Sequence, residues 1–396
     1  VAAYLAAAVK ARVTLVERER MGGDCLNTGC VPSKALLRTA KFLSHAKRSR
    51  EFGVHTAEVA FDFAEVMERV RRVIREIEPH DSVARYTQLG VECLAGEATI
   101  TSPWTVDVKT ADGVLTLTTR GIVIAAGARP FVPPIEGIAA VGCLTSDTIW
   151  SLDALPRRLL VLGGGPIGCE LAQAFARLGS HVTLVEMGPR LLSKEDDDVS
   201  ARVLERFRAE GIDVRTGHRA ARFVADADVK TLVAEFDGRD VHIAFDVLLC
   251  AVGRVANTTG YGLERLGIPT TPARTVEVNE FMATRYPNIL ACGDVAGPYQ
   301  FTHTAAHTAW YASVNALFGR FRKFRADFSV IPRATFTEPE VAGVGLNERE
   351  ARERGVPFEV TTYGIDDLDR AIADGEAHGF VKVLTVPGKD RILGVT

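Results

Sequence analysis

Apolar and polar positions in this chain fall into blocks that read as strand, helix and strand in turn. Leu159-Leu160-Val161-Leu162 is an unbroken apolar run of strand length. The glycine-rich stretch Gly163-Gly164-Gly165-Pro166-Ile167-Gly168 follows, then Cys169 to Leu178 with helical spacing, then an apolar strand ending at Glu186. The last part of that block has an earlier twin. Val13-Thr14-Leu15-Val16-Glu17 recurs unchanged as Val182-Thr183-Leu184-Val185-Glu186, and both copies follow a stretch rich in Ala, Leu and Phe or Tyr. Residues 62–85 read as a helical stretch with charges on one face, and turns are expected at Pro103 and at Asp112-Gly113. Residues from Phe328 onward read as strands: 331–336, 341–346, 358–363, 379–386 and 391–396.

The complete block is a βαβ unit with glycines 163, 165 and 168 at the G-x-G-x-x-G positions. The first glycine allows the tight turn, the second lets a pyrophosphate approach the backbone, and the third lets helix and strand pack closely. The helix N-terminus then offers unpaired N–H groups to an anion. Glu186 stands at about the 20-residue spacing from which an acid bonds ribose hydroxyls. Setting the twin on this unit puts Val1 opposite Glu170. The expectation is therefore a sequence that starts inside the first helix of another dinucleotide unit, with Glu17 as its ribose acid. Two such units suit a flavin that takes electrons from a nicotinamide. A chance match between two ordinary βαβ units is the alternative.

Composition narrows the class. The chain has 396 residues, 47% of them hydrophobic and 24% charged, which suits two or three folded domains at about 150 residues each. Lys plus Arg number 47 against 50 for Asp plus Glu, a net charge of −3, so a nucleic-acid partner is not expected. No charge-free apolar run approaches the roughly 18 residues of a membrane span. The opening VAAYLAAAV lacks a basic leader and reads as an interior helix of a longer chain. The charged clusters at 47–50, 195–198 and 320–325 read as solvated faces.

Seven cysteines, an odd number, do not suggest a secreted disulfide framework and fit a reducing, cytoplasmic setting. Two of them, Cys25 and Cys30, flank a glycine-rich turn that enters a helix expected over 33–46. The helix dipole and the nearby Lys34 would lower a thiol pKa there, and the thiolate is the reactive form. Zinc is the competing reading, although it normally takes four ligands; no metal is expected. The other five, Cys93, Cys143, Cys169, Cys250 and Cys292, stand singly among apolar residues and read as small core side chains.

Gly22-Gly23-Asp24-Cys25-Leu26-Asn27-Thr28-Gly29-Cys30-Val31-Pro32-Ser33-Lys34 resembles the active-site signature of the class I pyridine nucleotide-disulfide oxidoreductases. The resemblance extends along the chain. Ile124-Ala125-Ala126-Gly127-Ala128-Arg129-Pro130 resembles the segment that closes a first FAD unit. GGGPIGCELAQAFARLGSHVTLVE resembles the nicotinamide unit, with Ala251-Val252-Gly253-Arg254 as its return strand. Ala291-Cys292-Gly293-Asp294 resembles the late FAD motif.

The resemblance implies an α/β fold of two Rossmann-like dinucleotide-binding domains, for FAD and NAD(P), plus an incomplete α+β dimerisation domain. The boundaries expected are 1–155 for FAD, 156–272 for NAD(P), 273–326 for the return to FAD and 327–396 for dimerisation, giving a homodimer. FAD would lie against Glu17, Gly23, Asp24, Cys25, Lys34, Gly96, Ala126, Gly127, Arg254, Asp294, Gln300, Phe301, Thr302 and His303. The nicotinamide dinucleotide would lie against Gly163, Gly165, Pro166, Ile167, Gly168, Glu186 and Gly253. Glu186 favours NAD(H) over NADP(H), because it would repel a 2′-phosphate; Arg190 leaves NADP(H) open.

The catalytic set implied is Cys25, Cys30, Lys34 and Glu170. Electrons would pass from NAD(P)H through FAD to a Cys25–Cys30 disulfide, with Cys30 next to the flavin, Cys25 meeting the substrate, and Glu170 paired with Lys34. The family's late His-Glu pair has no equivalent among these residues; His303 and His307 lie in a helical stretch after Asp294. ELAQAFARLGS, Asp369-Arg370-Ala371 and Gly379-Phe380 most resemble mercuric reductases, so a Hg(II) substrate is expected. A dithiol substrate, as in dihydrolipoamide dehydrogenase, is the alternative. CLNTGC departs from the family's commoner CVNVGC or CLNVGC. Two other classes stay open: a flavin NADH dehydrogenase or oxidase with incidental cysteines, and a non-catalytic flavoprotein subunit.

Overall fold

The computed structural model describes residues 1–226 and 229–396. It is mixed α/β and divides into two compact units, one of residues 1–27, 74–129 and 254–328, the other of 28–73, 130–253 and 329–396. Among the described residues no helix is long and apolar enough to cross a membrane.

In the first unit, strand Val13–Glu17 lies parallel to Val91–Ala95, with Val13 opposite Val91. An antiparallel meander follows, Glu97–Ser102, Thr105–Thr110 and Gly113–Thr118, turning at Asp112-Gly113 as expected. Strand Ile122–Ile124 then pairs in parallel with Ile289–Ala291. Helix Thr302–Phe318 is tied to helix Ala2–Ala8 by the Ser313 hydroxyl, which donates to the Ala2 carbonyl at 3.0 Å. Ile100, Ile124, Ile289, Leu290 and Val295 form the centre of the core.

The second unit repeats this order of elements. Its four-stranded parallel sheet runs Asp213–Thr216, His181–Glu186, Arg158–Leu162, Val247–Cys250. Between its third and fourth strands in sequence stands another antiparallel meander, Arg219–Asp226, Val229–Phe236 and Arg239–Phe245. In both units, then, a strand ending in Glu pairs in parallel with the next, a meander follows, and a short parallel strand returns. Shared order over so many elements makes the five-residue identity the trace of a structural repeat rather than a coincidence. Leu159 to Leu162 are all buried, as expected for a parallel strand covered on both faces.

A five-stranded antiparallel sheet closes the second unit, in the order Pro332–Thr335, Val341–Gly345, Ile392–Val395, Phe380–Thr385, Glu359–Gly364. All five strands expected from the apolar pattern are present, four trimmed by a residue or two and the one expected at 358–363 shifted by one residue.

Two helices begin earlier than their apolar spacing indicates. The helix expected from Ser33 begins at Cys30 behind Gly29, and the helix expected from Cys169 begins at Pro166 behind Gly165. Proline suits the first helical position because its missing N–H has no intrahelical partner to lose.

The cluster at 195–198 is not a solvated face. Glu195 and Asp196 are buried. Arg333 donates to Glu195 at 2.9 Å. Lys382, 1% exposed, reaches Asp196 at 2.8 Å and Asp198 and Glu348 at 2.9 Å. Burial alone would raise the Asp196 pKa, but Lys382 and the Arg349 and Glu348 amides outweigh it and hold the carboxyl below its ordinary value. Replacing Lys382 by Met strands buried carboxylates, and should cost about 3–5 kcal/mol in urea unfolding at neutral pH. Asp196 contributes stability above the unfolded carboxylate pKa of about 3.9, lost as pH falls through its lower folded value. The stability gap between wild type and Lys382→Met should therefore narrow in acid; a gap unchanged between pH 7 and pH 3 would contradict this account.

Candidate active site

The second unit holds the glycine loop and one of the two signature cysteines. Strand Arg158–Leu162 lies between His181–Glu186 and Val247–Cys250, so the strand order reverses where Gly163 meets Ala251. That crevice, outside the carboxyl ends of the strands, is where open α/β sheets bind ligands. Gly163 has φ +109°, and a Cβ there would stand 2.6 Å from the Ala251 carbonyl oxygen. A Cβ on Gly168 would stand 2.0 Å from the Gly163 carbonyl oxygen. Gly165 differs: nothing lies within 4 Å of an added Cβ. Two glycines thus bring helix and strand into contact, and the middle one leaves space at the N-terminus of helix Pro166–Leu178. The first-turn N–H groups of that helix have no intrahelical acceptor. The loop fits a pyrophosphate.

Glu186 closes the same site. One carboxylate oxygen accepts the Gly164 N–H at 2.6 Å and the other accepts the Gly188 N–H at 2.6 Å. Held this way, each oxygen keeps a lone pair for a hydroxyl donor. Arg190 pairs with Asp197 at 2.6 Å and donates to the Ser193 carbonyl at 3.2 Å.

Cys30 is the first residue of helix Cys30–Lys47 and is exposed. The aligned N–H dipoles of eighteen helical residues favour a thiolate at this end. Trp150 fixes the entry to the helix by donating its indole N–H to the Thr28 carbonyl at 2.8 Å and the Ser146 carbonyl at 2.7 Å. One turn on, the Lys34 ammonium donates to Glu170 at 2.9 Å and lies 4.4 Å over the Phe336 ring. The other Glu170 oxygen accepts the Phe336 N–H at 2.9 Å. Lys34 and Glu170, paired by the resemblance, do meet. Phe336 carried no signal in the sequence, since its backbone meets Glu170 and its ring meets Lys34 only through tertiary pairing.

The first unit holds the remaining expected residues other than Gly253. Cys25 and Asp24 lie in the short helix Gly23–Asn27, which Asn27 braces by donating to the Met21 and Gly23 carbonyls at 3.0 and 2.9 Å. Asp24 pairs with Arg254. Arg254 also donates to the Ala128 carbonyl at 2.8 Å and lies 3.7 Å from Asp294. Glu17 accepts the Glu19 N–H at 2.8 Å, and its carbonyl accepts the Gly96 N–H at 2.9 Å. Gly127, at φ +66° with open space where a Cβ would go, follows Ala126, whose carbonyl accepts from Asn257 at 2.9 Å. Asn257 also accepts from Arg129 at 3.0 Å, a brace without any local signal among neighbouring residues.

Gln300 and Phe301 precede helix Thr302–Phe318, and the Phe301 and His303 rings stack at 5.3 Å. Acid, open glycine turn and aromatic platform within one unit fit a flavin dinucleotide. Gly253 lies in the second unit, at φ +143°. Among the described residues no group of three or more His, Cys, Asp or Glu is arranged to hold a metal.

Known proteins resemble this chain along nearly its whole length. The sequence profile for pyridine nucleotide-disulphide oxidoreductase matches residues 1–309, and that for the dimerisation domain of these enzymes matches 331–396. A mercuric reductase of Streptomyces lividans is 37% identical over 397 residues, covering 99% of this chain and 83% of that protein. A dihydrolipoyl dehydrogenase of Chlamydia pneumoniae is 32% identical over 396 residues, covering 100% and 83%. Among solved structures, the HOCl-induced flavoprotein disulfide reductase RclA from Escherichia coli aligns with TM-score 0.86 at 28% identity, covering 100% of this chain and 86% of that one. LpdA from Mycobacterium tuberculosis aligns with TM-score 0.89 at 26% identity, covering 100% and 86%.

The glycine geometry separates two roles that one motif usually hides. Gly168→Ala drives a methyl group into a carbonyl and should cost about 1–3 kcal/mol in thermal or urea unfolding. Gly165→Ala meets no atom and should leave unfolding within about 0.5 kcal/mol, yet weaken dinucleotide binding by placing a methyl group where the phosphates approach. Equal destabilisation by the two substitutions would refute the division.

Proposed function

The chain belongs to the pyridine nucleotide-disulphide oxidoreductases, flavoprotein enzymes that use pyridine nucleotides, and on that footing we propose that it carries electrons from NADH, by way of FAD, to the Cys25–Cys30 pair and on to Hg(II). The observation that carries the reading is Cys30 at the first position of its helix, exposed, five residues after Cys25. FAD, when bound, supplies the exchange of a two-electron hydride donor for thiol chemistry.

The chain's own residues do the rest. Glu17, Gly96, Ala126, Gly127, Arg254 and Asp294 hold the flavin dinucleotide, joined by the Gln300 to His303 stretch. Gly163 to Gly168, Glu186 and Gly253 hold the nicotinamide dinucleotide. Reduction of the Cys25–Cys30 disulfide takes two electrons and breaks the S–S bond. The helix N-terminus keeps Cys30 as thiolate, and Lys34, held by Glu170, favours negative charge beside it. Cys25 is then the sulfur that meets substrate. Soft mercuric ion is a natural ligand for thiolate, and the mercuric reductases among the relatives support that substrate. The dimerisation-domain match supports a homodimer, and the cysteine usage a cytoplasmic setting.

Glu186 supports NADH. A carboxylate already committed to two backbone amides cannot swing away from a 2′-phosphate, and Arg190 is engaged by Asp197. In steady-state assays with a mercuric thiol complex as acceptor, NADH should exceed NADPH in kcat/KM by tenfold or more. NADPH winning by the same margin would reverse the assignment, and turnover of dihydrolipoamide with none of Hg(II) would replace the substrate.

The thiol mechanism is tested separately, by anaerobic titration of the FAD-loaded protein. A long-wavelength absorbance band should grow in at two electrons per subunit and be lost in Cys30→Ser, while Cys25→Ser should abolish turnover. Full activity in Cys25→Ser would make the cysteines incidental and the enzyme a flavin NADH oxidase or dehydrogenase. Bound FAD that NADH cannot reduce would make it a non-catalytic flavoprotein.

A further inference from the structure

Glu170, Gln173 and Arg177 stand three and four residues apart on helix Pro166–Leu178, a spacing that lines them along one side of it. All three are buried. Glu170 takes Lys34 of the thiol helix and the Phe336 N–H. Gln173 grips the backbone two residues further on: its carbonyl oxygen accepts the Glu338 N–H and its amide donates to the Glu338 carbonyl, each at 2.8 Å. Arg177 ends the row, 2.5 Å from one oxygen of the Glu338 carboxylate. The other oxygen of that carboxylate lies 2.6 Å from the Lys41 ammonium, back on the thiol helix.

Lys41 comes two turns after Lys34 on the thiol helix, and Arg177 two turns after Glu170 on the other. Two rungs therefore join the helices. The upper is the direct pair Lys34–Glu170, and the lower is Lys41–Glu338–Arg177. In the lower rung one carboxylate, carried by the segment that follows strand Pro332–Thr335, spans both helices. One rung alone leaves a helix free to tilt or slide about that point, whereas two fix its register. We propose that Glu338 is a positioning residue, which sets the register of the thiol helix so that Lys34 stays on Glu170, one turn from Cys30. Its effect on the sulfur passes through Lys34, and the inference rests on the reading of Cys30 as a working thiolate.

The charges around Glu338 make its carboxylate hard to replace. Arg177 also donates to Glu210, at the end of helix Asp197–Ala209, at 2.8 and 2.7 Å, and Arg206 donates to the same carboxylate at 2.7 Å. Glu210 is thus already shared by two cations. Without the Glu338 charge, Lys41, Arg177 and Arg206 would be left with Glu210 alone, and Lys41 and Arg177 would face each other across the helix contact with no anion between them. Such repulsion is strong where water is excluded. Burial alone would raise the Glu338 pKa, but Lys41 and Arg177 outweigh it and hold the carboxyl below its ordinary value. The backbone grip of Gln173 survives a change of the side chain, so Glu338→Gln removes the charge and keeps the segment on its helix.

The experiment uses FAD-loaded Cys25→Ser protein, in which Cys30 is the signature thiol that remains. The long-wavelength absorbance band of its thiolate is titrated against pH, and the midpoint reports the Cys30 pKa. Glu338→Gln should raise that midpoint by about half a pH unit or more. Lys41→Gln cuts the same rung at a half-exposed side chain. It should move the midpoint in the same direction, and it reads the link if Glu338→Gln does not fold. In a Lys34→Met background, which itself raises the midpoint, neither substitution should move it further. A folded Glu338→Gln protein with the parent's midpoint would overturn the inference, and so would an equal shift in the Lys34→Met background, which is what a merely structural role predicts. Both results leave the thiolate reading standing. No band at any pH in the Cys25→Ser parent would instead take down the thiolate reading, and this inference with it.

Discussion

The second unit depends on an approach that only hydrogen atoms at α-carbons permit. Gly168 meets the Gly163 carbonyl, and Gly163 meets the Ala251 carbonyl, at distances where a Cβ would stand 2.0 and 2.6 Å from oxygen. This contact sets helix Pro166–Leu178 against its strand at one height. Glu170 comes two residues after Gly168 and is therefore placed by the same contact. It holds Lys34, which lies one turn beyond Cys30 on another helix. The glycine turn thus fixes the partner of the lysine one turn beyond Cys30. The loop and the thiol helix are mechanically coupled in this unit.

The Lys34–Glu170 pair shows how the arrangement is stabilised. The Glu170 side chain is 8% exposed and that of Lys34 38%. A carboxylate so deeply placed would lose more hydration than one half-solvated ammonium returns. The Phe336 N–H supplies the second hydrogen bond, and the Phe336 ring lies under the ammonium. One residue at the end of the strand Pro332–Thr335 therefore serves both partners. Lys382 solves the same problem differently, surrounding one buried cation with three carboxylates. That arrangement ties the antiparallel sheet to the segment around Asp196 rather than shaping any site.

What the sequence showed and what it hid divide along one physical line. The glycine loop, the duplicated VTLVE strand, the cysteine signature and the five late strands were legible because each is written in neighbouring residues. Turn chemistry and apolar period act over a few positions. The acid cluster around Asp196, the Asn257 brace, the Phe336 amide and the Leu144–Leu249 bridge were not, because each is made by tertiary pairing. No local pattern says that Leu144 will bridge Leu249, or that a lysine near the end of the chain will bury itself against Asp196. The charge run at 195–198 looked solvated for that reason: its partners, Arg333 and Lys382, lie in strands of another sheet. The early helix starts were missed for a different reason. Gly-rich and Cys-rich turns read as loop up to their last unusual residue, although proline and the N-cap glycines already permit helix.

Burial then sorts the seven cysteines by what each can do. Cys169 and Cys292 are 0% and 3% exposed, and desolvation raises the pKa of both, Cys292 up to about 12. Buried and shifted upward in this way, neither is placed to compete as nucleophile. Cys169 instead donates its S–H to the Gly164 carbonyl at 3.3 Å, acting as packing beneath the loop. Cys93 is also shifted upward by burial. Cys30 is at the opposite extreme, exposed at a helix N-terminus where charge is favoured. Between these stand Cys143 and Cys250, whose S–H groups donate to the Leu144 and Phe131 carbonyls, each at 3.5 Å. What each thiol can do is thus set by solvent access and neighbours rather than by number.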